Sequence, residues 1–375
     1  MALVYDGTLL DRCLVLWFPG PGTVTGEDLA ELHVHGGRAV IAAVMAALNH
    51  MDGMRAALAG EFTRRSFVNG CVDLAEAEGL GDLLAAETEG QRQSALALAG
   101  GELGRKVGDW RSRLLMAGAA VEAALDFSDE DDVDQGAAGR SRLLTQALAS
   151  EIVDMLANPP AERLRDGVMV VLAGPPNAGK SSLFNALVDR DAAIVSAVAG
   201  TTRDRIEAAV ALSGLPFLFV DTAGLRDSSD EIESLGIARA SDAVDKADII
   251  LWLGPAANCP QGAVLIAAKA DLPDVSGPGL AVSARTGAGL DVLRRLLVER
   301  AGALLPKPGA LALHARHRAI LSEILAALQS AAASTDLLLQ AEDLRHARAG
   351  LDQLTGRAGV EDMLDSLFGR FCIGK

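Results

Sequence analysis

The sequence of 375 residues predicts three kinds of structure in one chain: an α+β N-terminal piece, an all-α helical domain, and an α/β domain inserted into the helical one. Three observations lead to this prediction. Apolar runs of strand length, separated by glycine-containing turns, occur in residues 1–68 and again in residues 167–299. Alanine- and leucine-rich sequence at helical spacing lies on both sides of the second region. The length is sufficient for two or three domains.

The N-terminal piece is predicted to contain two strands joined by a turn. Residues 13–18 and 29–34 have strand composition, and Pro-Gly-Pro-Gly at 19–22 marks the turn between them. Three side chains that could ligate a metal alternate onto one face: Glu31, His33 and His35. Because no cysteine or acidic cluster joins them, the pattern favours a polar strand face over a metal site.

The helical domain is predicted in two parts, residues 69–166 and 300–375. In the first part, apolar residues recur at helical spacing from 74 to 125, and again from 141 to 156 before Asn-Pro-Pro ends the helix. In the second part, a helix is predicted from Leu311 onward. Four apolar residues are expected on one of its faces: Ile320, Ile324, Leu325 and Leu328. Ordinary core packing accounts for these stripes.

Residues 174–181, Gly-Pro-Pro-Asn-Ala-Gly-Lys-Ser, follow a predicted strand at 168–173 and open a predicted helix from residue 182. Glycines let backbone N–H groups turn toward phosphate oxygens, and the start of a helix adds positive potential. Lys180 would contact the β- and γ-phosphates, and Ser181 would bind Mg²⁺. A glycine-rich turn without a ligand is the alternative. The strand, the spacing and the Lys-Ser pair together indicate a P-loop in a Ras-like α/β domain.

Two later motifs follow in the order that a GTPase requires. Gly-Thr-Thr-Arg-Asp at 200–204 occupies the place of a switch segment, in which Thr202 would bind Mg²⁺. A strand at 215–220 ends in Asp-Thr-Ala-Gly, where Asp221 would hold Mg²⁺ through water and Gly224 would donate its N–H to the γ-phosphate. The second motif makes a nucleotide site the clear prediction.

The base-recognition segment departs from the usual Asn-Lys-x-Asp. After a predicted strand at 263–267 the chain has Ala268-Lys-Ala-Asp271, so a polar anchor is absent while the carboxylate that accepts from guanine is present. Ser-Ala-Arg at 283–285 resembles a backbone clamp on the guanine oxygen. We therefore predict guanine specificity with weaker binding, since one such hydrogen bond is worth about 1 kcal/mol.

Hydrolysis needs a polar group to orient the attacking water, and in this chain the usual position does not supply one. Ras-like proteins carry Gln after Asp-x-x-Gly to orient water, whereas this chain has Leu225. The acidic run at 226–233 offers several carboxylates, most of which are better explained as a solvated loop. Because no arginine finger is evident, the charge of the transition state requires another cation.

Composition restricts the partners and the compartment. The formal net charge of −16 argues against strong independent binding of nucleic acid, so a more basic partner would carry most contacts to RNA. The charged N-terminus is not a signal peptide, and no apolar run reaches the roughly 18 residues that a membrane span needs. The four cysteines are dispersed, which favours reduced thiols in the cytoplasm: Cys13, Cys71, Cys259 and Cys372.

The chain resembles the MnmE (TrmE) family of tRNA-modification GTPases over essentially its whole length. Besides the nucleotide motifs, matching segments are Leu-Trp-Phe-Pro-Gly-Pro at 16–21, Thr-Gly-Glu-Asp at 25–28, His-Gly-Gly at 35–37, Gly-Glu-Phe-Thr-Arg-Arg at 60–65, Asp-Phe at 126–127 and Phe-Cys-Ile-Gly-Lys at 371–375. The resemblance implies a homodimer that forms a heterotetramer with the flavoprotein MnmG. Such complexes install an aminomethyl-type group at C5 of the wobble uridine of certain tRNAs. The tRNA would be contacted largely through MnmG.

The resemblance also implies the residues of each site. The GTP contacts would be Asn177, Ala178, Gly179, Lys180, Ser181, Ser182, Ser196, Ala197, Val198, Ala199, Gly200, Thr201, Thr202, Asp221, Thr222, Ala223, Gly224, Lys269, Asp271, Ser283, Ala284 and Arg285. Mg²⁺ would be held by Ser181 and Thr202, and K⁺, the missing cation, by Asn177, Ser196, Val198 and Thr201. Glu233 would position the attacking water through a second water. Cys372 would take part in modification as nucleophile, proton relay or structural residue.

A 5-formyl-tetrahydrofolate-type donor is implied for the N-terminal domain, with contacts from Glu31, Cys71 and Lys375. Cys71 stands where lysine is usual, and family members carry several tens of residues before the point where this chain begins. Those two departures leave folate binding an open question. Either the start codon lies upstream, which we favour because the motifs are intact, or the modification site is compromised.

Two other functions stay open at this point. A ribosome-assembly GTPase would share the nucleotide motifs, but it should carry a basic RNA-binding domain, which this acidic chain lacks. A degenerate regulatory GTPase would keep only the nucleotide switch, and loss of modification activity would reveal it.

Overall fold

A computed structural model describes residues 1–126, 135–188, 207–222, 242–272, 278–307, 309–357, 367–369 and 371. The helices are α1 (Arg38–Asn49), α2 (Glu61–Val68), α3 (Leu74–Ala85), α4 (Glu89–Ala99), α5 (Glu102–Asp126), α6 (Gln135–Ala157), α7 (Glu162–Asp166), α8 (Lys180–Val188), α9 (Leu290–Leu304), α10 (Ala315–Ala333) and α11 (Leu337–Leu354). The strands are β1 (Ala2–Tyr5), β2 (Thr8–Arg12), β3 (Leu14–Phe18), β4 (Leu29–His33), β5 (Val168–Ala173), β6 (Glu207–Leu212), β7 (Leu215–Asp221), β8 (Ile249–Trp252), β9 (Val264–Ala268) and β10 (Leu280–Val282).

The chain forms two compact units. The first contains residues 1–81, 98–142 and 334–375, and the second contains residues 82–97 and 143–333. The α/β sheet therefore lies in a unit that also includes α4, α10 and most of α6. None of the helices in the described part of the chain is long and apolar enough to cross a membrane.

The first unit opens with two antiparallel strand pairs, β1 with β2 and β3 with β4. The predicted strand at 13–18 begins one residue later, at Leu14, because buried Cys13 exchanges its backbone hydrogen bonds with Met1. Helices α1 and α2 follow these strands, which confirms the predicted α+β composition of the N-terminal piece.

The helical part of the first unit packs α5 against α11. Every third or fourth side chain of α5 is buried, as the helical repeat requires: Leu103, Val107, Trp110, Leu114, Ala117 and Val121. Arg111 of α5 forms a 3.0 Å ion pair with Asp352 of α11 at the edge of this contact. Asp336 caps α11 by accepting a hydrogen bond from the N–H of Leu338, which fixes where that helix begins.

The second unit is built on a six-stranded sheet with the order β10-β9-β8-β5-β7-β6. All neighbouring pairs are parallel except β6 with β7, which form an antiparallel hairpin. The central strand β5 is almost wholly buried, as expected for a parallel strand covered on both faces. This confirms an α/β domain whose sequence is inserted within the helical sequence.

The prediction of a helix from Leu311 was wrong by four residues. Helix α10 begins at Ala315, and the three preceding apolar residues are buried in non-helical backbone. Two bonds to distant residues hold that backbone: the N–H of Ala161 donates to the carbonyl of Leu313, and the N–H of Ala315 donates to Glu162. On α10 itself, the fully buried residue between Ile320 and Ile324 is Leu321, while Leu325 is only half-buried.

Candidate nucleotide-binding site

The loops that carry the predicted nucleotide motifs meet at the carboxyl ends of the parallel strands. These ends are where open α/β sheets bind ligands, because the strand order places successive loops around one crevice. A cavity of about 250 Å³ lies there. Its lining comes from the start of α8 and from the loops after β9 and β10: Gly179, Ser182, Leu183, Ala268, Lys269, Asp271, Leu272, Val282, Ala284 and Arg285.

The phosphate loop joins β5 to α8 with a backbone that few residues other than glycine adopt. Gly174 has φ of 146°, and a Cβ there would lie 2.5 Å from the carbonyl oxygen of Leu253. Asn177 also has positive φ, at 60°. The loop therefore curls tightly before α8 begins at Lys180, which places the first N–H groups of the helix at the crevice.

Lys180 is the charged residue of the loop, and it is buried, with 5% of its surface exposed. Its Nζ donates hydrogen bonds to the carbonyl oxygens of Gly174, at 3.1 Å, and Pro175, at 2.9 Å. The lysine thus spans its own loop. Ser181 and Ser182 follow in the first turn of α8 and are exposed.

Asp221 and Thr222 end β7 beside the phosphate loop. Both are buried, and the Thr222 hydroxyl donates a 2.8 Å hydrogen bond to the carbonyl oxygen of Leu172 on β5. Asp221 pairs in register with that same Leu172. The parallel pairing of β5 with β7 therefore brings the Asp-Thr motif next to the P-loop, as the order of the motifs predicted.

The segment after β9 is fastened to the phosphate loop by its lysine. Lys269 has φ of 61°, and its Nζ donates a 2.8 Å hydrogen bond to the carbonyl oxygen of Asn177. Ala268, which replaces the usual asparagine, presents a methyl group 3.7 Å from the place where Gly179 would carry a Cβ. Of the two side chains that could link this segment to the loop, lysine makes its hydrogen bond and alanine has no polar group to make one.

Asp271 is the carboxylate in the base-recognition part of the cavity. Buried Ser283 donates a 2.7 Å hydrogen bond to its Oδ1, and Arg285 places Nη2 2.6 Å from its Oδ2. The Ser283 hydrogen bond, together with the nearby Arg285 guanidinium, lowers the pKa of Asp271 below its ordinary value. The group is therefore an ionised acceptor at neutral pH.

Several predicted site residues lie outside the described residues. They are Ser196, Ala197, Val198, Ala199, Gly200, Thr201, Thr202, Ala223, Gly224, Leu225, Glu233, Cys372 and Lys375. The structure consequently brings together the phosphate loop, the Asp-Thr pair and the base-recognition segment. The switch, water-positioning and tail residues stay predictions.

Glu31 and His33 lie on strand β4, whereas His35 lies beyond its end, so the prediction of one strand face was wrong for His35. The Glu31 carboxylate is 2.9 Å from His33 Nε2, and Asp11 accepts hydrogen bonds from both the backbone N–H and the ring of His35. Among the described residues, no three His, Cys, Asp or Glu side chains are grouped closely enough to hold a metal. Cys71 is exposed, with Sγ 3.8 Å from the carbonyl oxygen of Thr23.

The sequence analysis missed a second cavity, of about 360 Å³, in the N-terminal piece. Glu61 lies in its wall and accepts hydrogen bonds from Arg55 and Arg65. The Arg55 bonds, with those from the Leu58 N–H and Arg65, lower the pKa of Glu61 to about 2. Only the motif Gly-Glu-Phe-Thr-Arg-Arg pointed to this region, and that motif does not include Arg55, which makes two of the bonds to Glu61.

The parallel sheet, the P-loop with its buried lysine and the carboxylate of the base-recognition segment define a P-loop nucleotide-binding domain of the GTPase class. A family profile described as the MnmE helical domain matches residues 74–372, and a profile described as the N-terminus of the GTP-binding protein TrmE matches residues 2–71. The chain belongs to the MnmE family of tRNA modification GTPases, and it is therefore a GTP-hydrolysing enzyme of tRNA modification.

Individual relatives agree with the profiles. The tRNA modification GTPase MnmE of Rhizorhabdus wittichii is 59% identical over 372 residues, covering 98% of this chain and 84% of that protein. That of Novosphingobium aromaticivorans is 58% identical over 384 residues, covering 99% and 88%. A solved G domain of the T. maritima FeoB iron transporter is 26% identical over 36% of this chain and 98% of that one, with a TM-score of 0.26. That TM-score is too low to support structural conclusions.

Proposed function

We propose that the chain is a K⁺-dependent GTPase of the cytoplasm that acts with the flavoprotein MnmG to modify C5 of the wobble uridine of certain tRNAs. The observation that carries the nucleotide part of this proposal is the crevice at the carboxyl edge of the sheet. There the end of the phosphate loop and an ionised base-recognition carboxylate line one cavity, and the Asp-Thr pair lies against β5, the strand that leads into the loop. The aminomethyl chemistry and the partner rest on membership of the family.

The crevice suits a guanine nucleotide. Asp271 lines the cavity and would accept hydrogen bonds from N1 and N2 of guanine, while the Lys269 side chain bonds to the phosphate loop. Lys180 and the first N–H groups of α8 would hold the β- and γ-phosphates. Ala268 offers no polar group to the base, so we expect weaker affinity than a site with asparagine would have.

Those proposed metal ligands that lie among the described residues are of a type that suits each metal. Ser181 is exposed at the first turn of α8 and buried Asp221 ends β7, so both supply the oxygen atoms that Mg²⁺ favours as ligands. Exposed Asn177, at the turn of the phosphate loop, would give one K⁺ ligand. Thr202, Ser196, Val198 and Thr201 would complete the two sites. A bound cation at the β- and γ-phosphates would stabilise developing charge as an arginine finger does.

The remaining roles are proposals from the family. Glu233 would position the hydrolytic water, because Leu225 cannot donate or accept a hydrogen bond. Cys372 would act in modification, and a folate-type donor would contact Glu31, Cys71 and Lys375. We assign residues 1–68 to folate binding and dimerisation, 69–166 with 300–375 to the helical domain, and 167–299 to the G domain. A homodimer would join MnmG in a heterotetramer that receives the tRNA.

The test is wobble modification in cells that lack their own protein of this family. We expect the chain to restore the modified nucleoside, measured by mass spectrometry of digested tRNA. Lys180→Met should abolish restoration because phosphate binding falls by about tenfold or more when a charge-assisted hydrogen bond is lost. Cys372→Ser should also abolish it.

Matched controls separate specific loss from general damage. Lys246→Met removes an exposed lysine of the same unit, and Cys259→Ser removes a half-buried thiol; both should restore modification. If the wild-type chain hydrolyses GTP but never restores the nucleoside, the chain is a nucleotide switch without modification activity, and the modification part of the proposal is wrong.

A further inference from the structure

The carboxylate proposed to recognise guanine is already paired within the protein. Arg285 Nη2 lies 2.6 Å from Asp271 Oδ2, while Ser283 holds the other oxygen, Oδ1, at 2.7 Å. The Asp271 side chain is 12% exposed and the Arg285 side chain is 75% exposed. The carboxylate is thus held at both oxygens, whereas its cationic partner extends largely into solvent.

The chemistry of this pair matches that of the base it would bind. The edge of guanine that meets a carboxylate carries N1–H and the N2 amino group on one carbon, which is a guanidine fragment. A guanidinium presents the same planar fork of N–H donors to a carboxylate. Both groups would therefore bind the same carboxylate, and Arg285 lines the same cavity as Asp271.

We propose that Arg285 is an internal competitor for guanine: it occupies Asp271 when no nucleotide is bound and must leave before the base can be recognised. This inference rests on the proposed role of Asp271 in the nucleotide site. It adds that Arg285, in the loop between β10 and α9, weakens guanine binding and so favours nucleotide exchange.

The expected size follows from the exposure of the pair. An ion pair with one solvent-exposed partner is a weak competitor, so removing it should tighten guanine nucleotide binding by about twofold to sixfold. Because Ala268 replaces the usual asparagine, the base loses a polar contact that does not involve Asp271. A larger share of the guanine affinity then depends on Asp271, so competition for it has a larger effect. The effect should weaken in high salt, where exposed charges are screened over about 3 Å at 1 M.

The experiment is calorimetric titration of the whole chain with GDP, which binds without being hydrolysed. Arg285→Met removes the fork and the charge at similar length, and Arg285→Lys keeps the charge without the fork. We expect the GDP dissociation constant to fall by about threefold in the methionine variant at 0.1 M salt, and by less in the lysine variant. Near 1 M salt, both variants should bind GDP as the wild type does. Arg295→Met is the control, because Arg295 is exposed on α9 and does not line the cavity; its affinity should equal that of wild type.

The outcomes separate this inference from the proposed function. If the wild type binds GDP and Arg285→Met binds it equally or more weakly at low salt, Arg285 does not compete and the inference is overturned while the nucleotide site stands. Asp271→Ala should lose most GDP affinity. If it does not, or if the wild type binds no GDP, the proposed role of Asp271 fails and the inference fails with it.

Discussion

At the scale of single residues, Asp271 shows how a local contact sets the chemistry of the site. Its pKa lies below the ordinary 3.8, first because Ser283 donates a hydrogen bond to the ionised form and then because of the nearby Arg285 charge. A carboxyl whose folded-state pKa is depressed contributes stability above its ordinary pKa and loses it as the pH falls through the folded-state value. That loss therefore occurs below pH 3.8, well outside the neutral range.

Replacement of Ser283 tests this account. Ser283→Ala should raise the pKa of Asp271 toward its ordinary value and weaken GDP binding by about fivefold, since the carboxylate loses one hydrogen bond that orients it. Titration calorimetry of GDP binding between pH 7 and pH 5 should show no proton uptake by Asp271 in the wild type. Ser322→Ala is the control, because that exposed serine bonds only within its helix, and it should leave GDP affinity unchanged. Unchanged affinity in Ser283→Ala would show that Ser283 does not orient the carboxylate.

Single residues with strong local signals were predictable from sequence, and their pairings were not. Lys180 and Asp271 stand at fixed offsets in motifs whose chemistry requires those residue types. The bond from Arg285 to Asp271 depends on how two loops approach each other after folding. The contact of Gly174 with Leu253 depends on β8 lying beside β5, which no local pattern indicates.

At the scale of elements, the phosphate loop depends on close approach of two backbones. Gly174→Ala would place a methyl group 2.5 Å from the Leu253 carbonyl at φ of 146°. We expect the free energy of unfolding to fall by about 2 kcal/mol or more and GTP binding to be lost, because the loop must shift. Thermal unfolding and GDP titration would measure both effects.

Gly262 provides the matched control for that change. It also has positive φ, 81°, but nothing lies within 4 Å of the place where its Cβ would be. Gly262→Ala should therefore cost only about 1 kcal/mol of backbone strain and should leave GDP binding intact. Equal effects of the two substitutions would mean that strain alone, and not the contact with Leu253, explains the glycine at 174.

Elements were predicted well where sequence periodicity is strong. The burial pattern of α5 and the position of β5 follow directly from helical spacing and from a continuous apolar run. Strand β6 was not predicted, because Glu-Ala-Ala-Val-Ala-Leu is poor in β-branched residues and owes its conformation to pairing with β7. The start of α10 was placed too early, because the buried residues from Leu311 lie in non-helical backbone that hydrogen bonds with Ala161 and Glu162.

At the scale of the whole molecule, the fold class was predictable because each part carries its own signal. The strand–loop–helix motif indicated the α/β sheet, and its position between helical stretches indicated insertion. The order of the strands and the grouping of α4 with the sheet were not predictable, since both depend on long-range packing. One such contact is the 2.8 Å hydrogen bond from Gln91 to the carbonyl of Leu164, which joins α4 to α7.

The central claim is that this crevice binds GTP and that a monovalent cation completes it for hydrolysis. Its most direct test is the rate of GTP hydrolysis by the whole chain in KCl compared with NaCl at equal ionic strength, for the wild type, Glu233→Ala and the control Glu231→Ala. The account predicts strong stimulation by K⁺ in the wild type and in Glu231→Ala, and loss of hydrolysis in Glu233→Ala. Equal, slow rates in both salts, or full activity of Glu233→Ala, would contradict it.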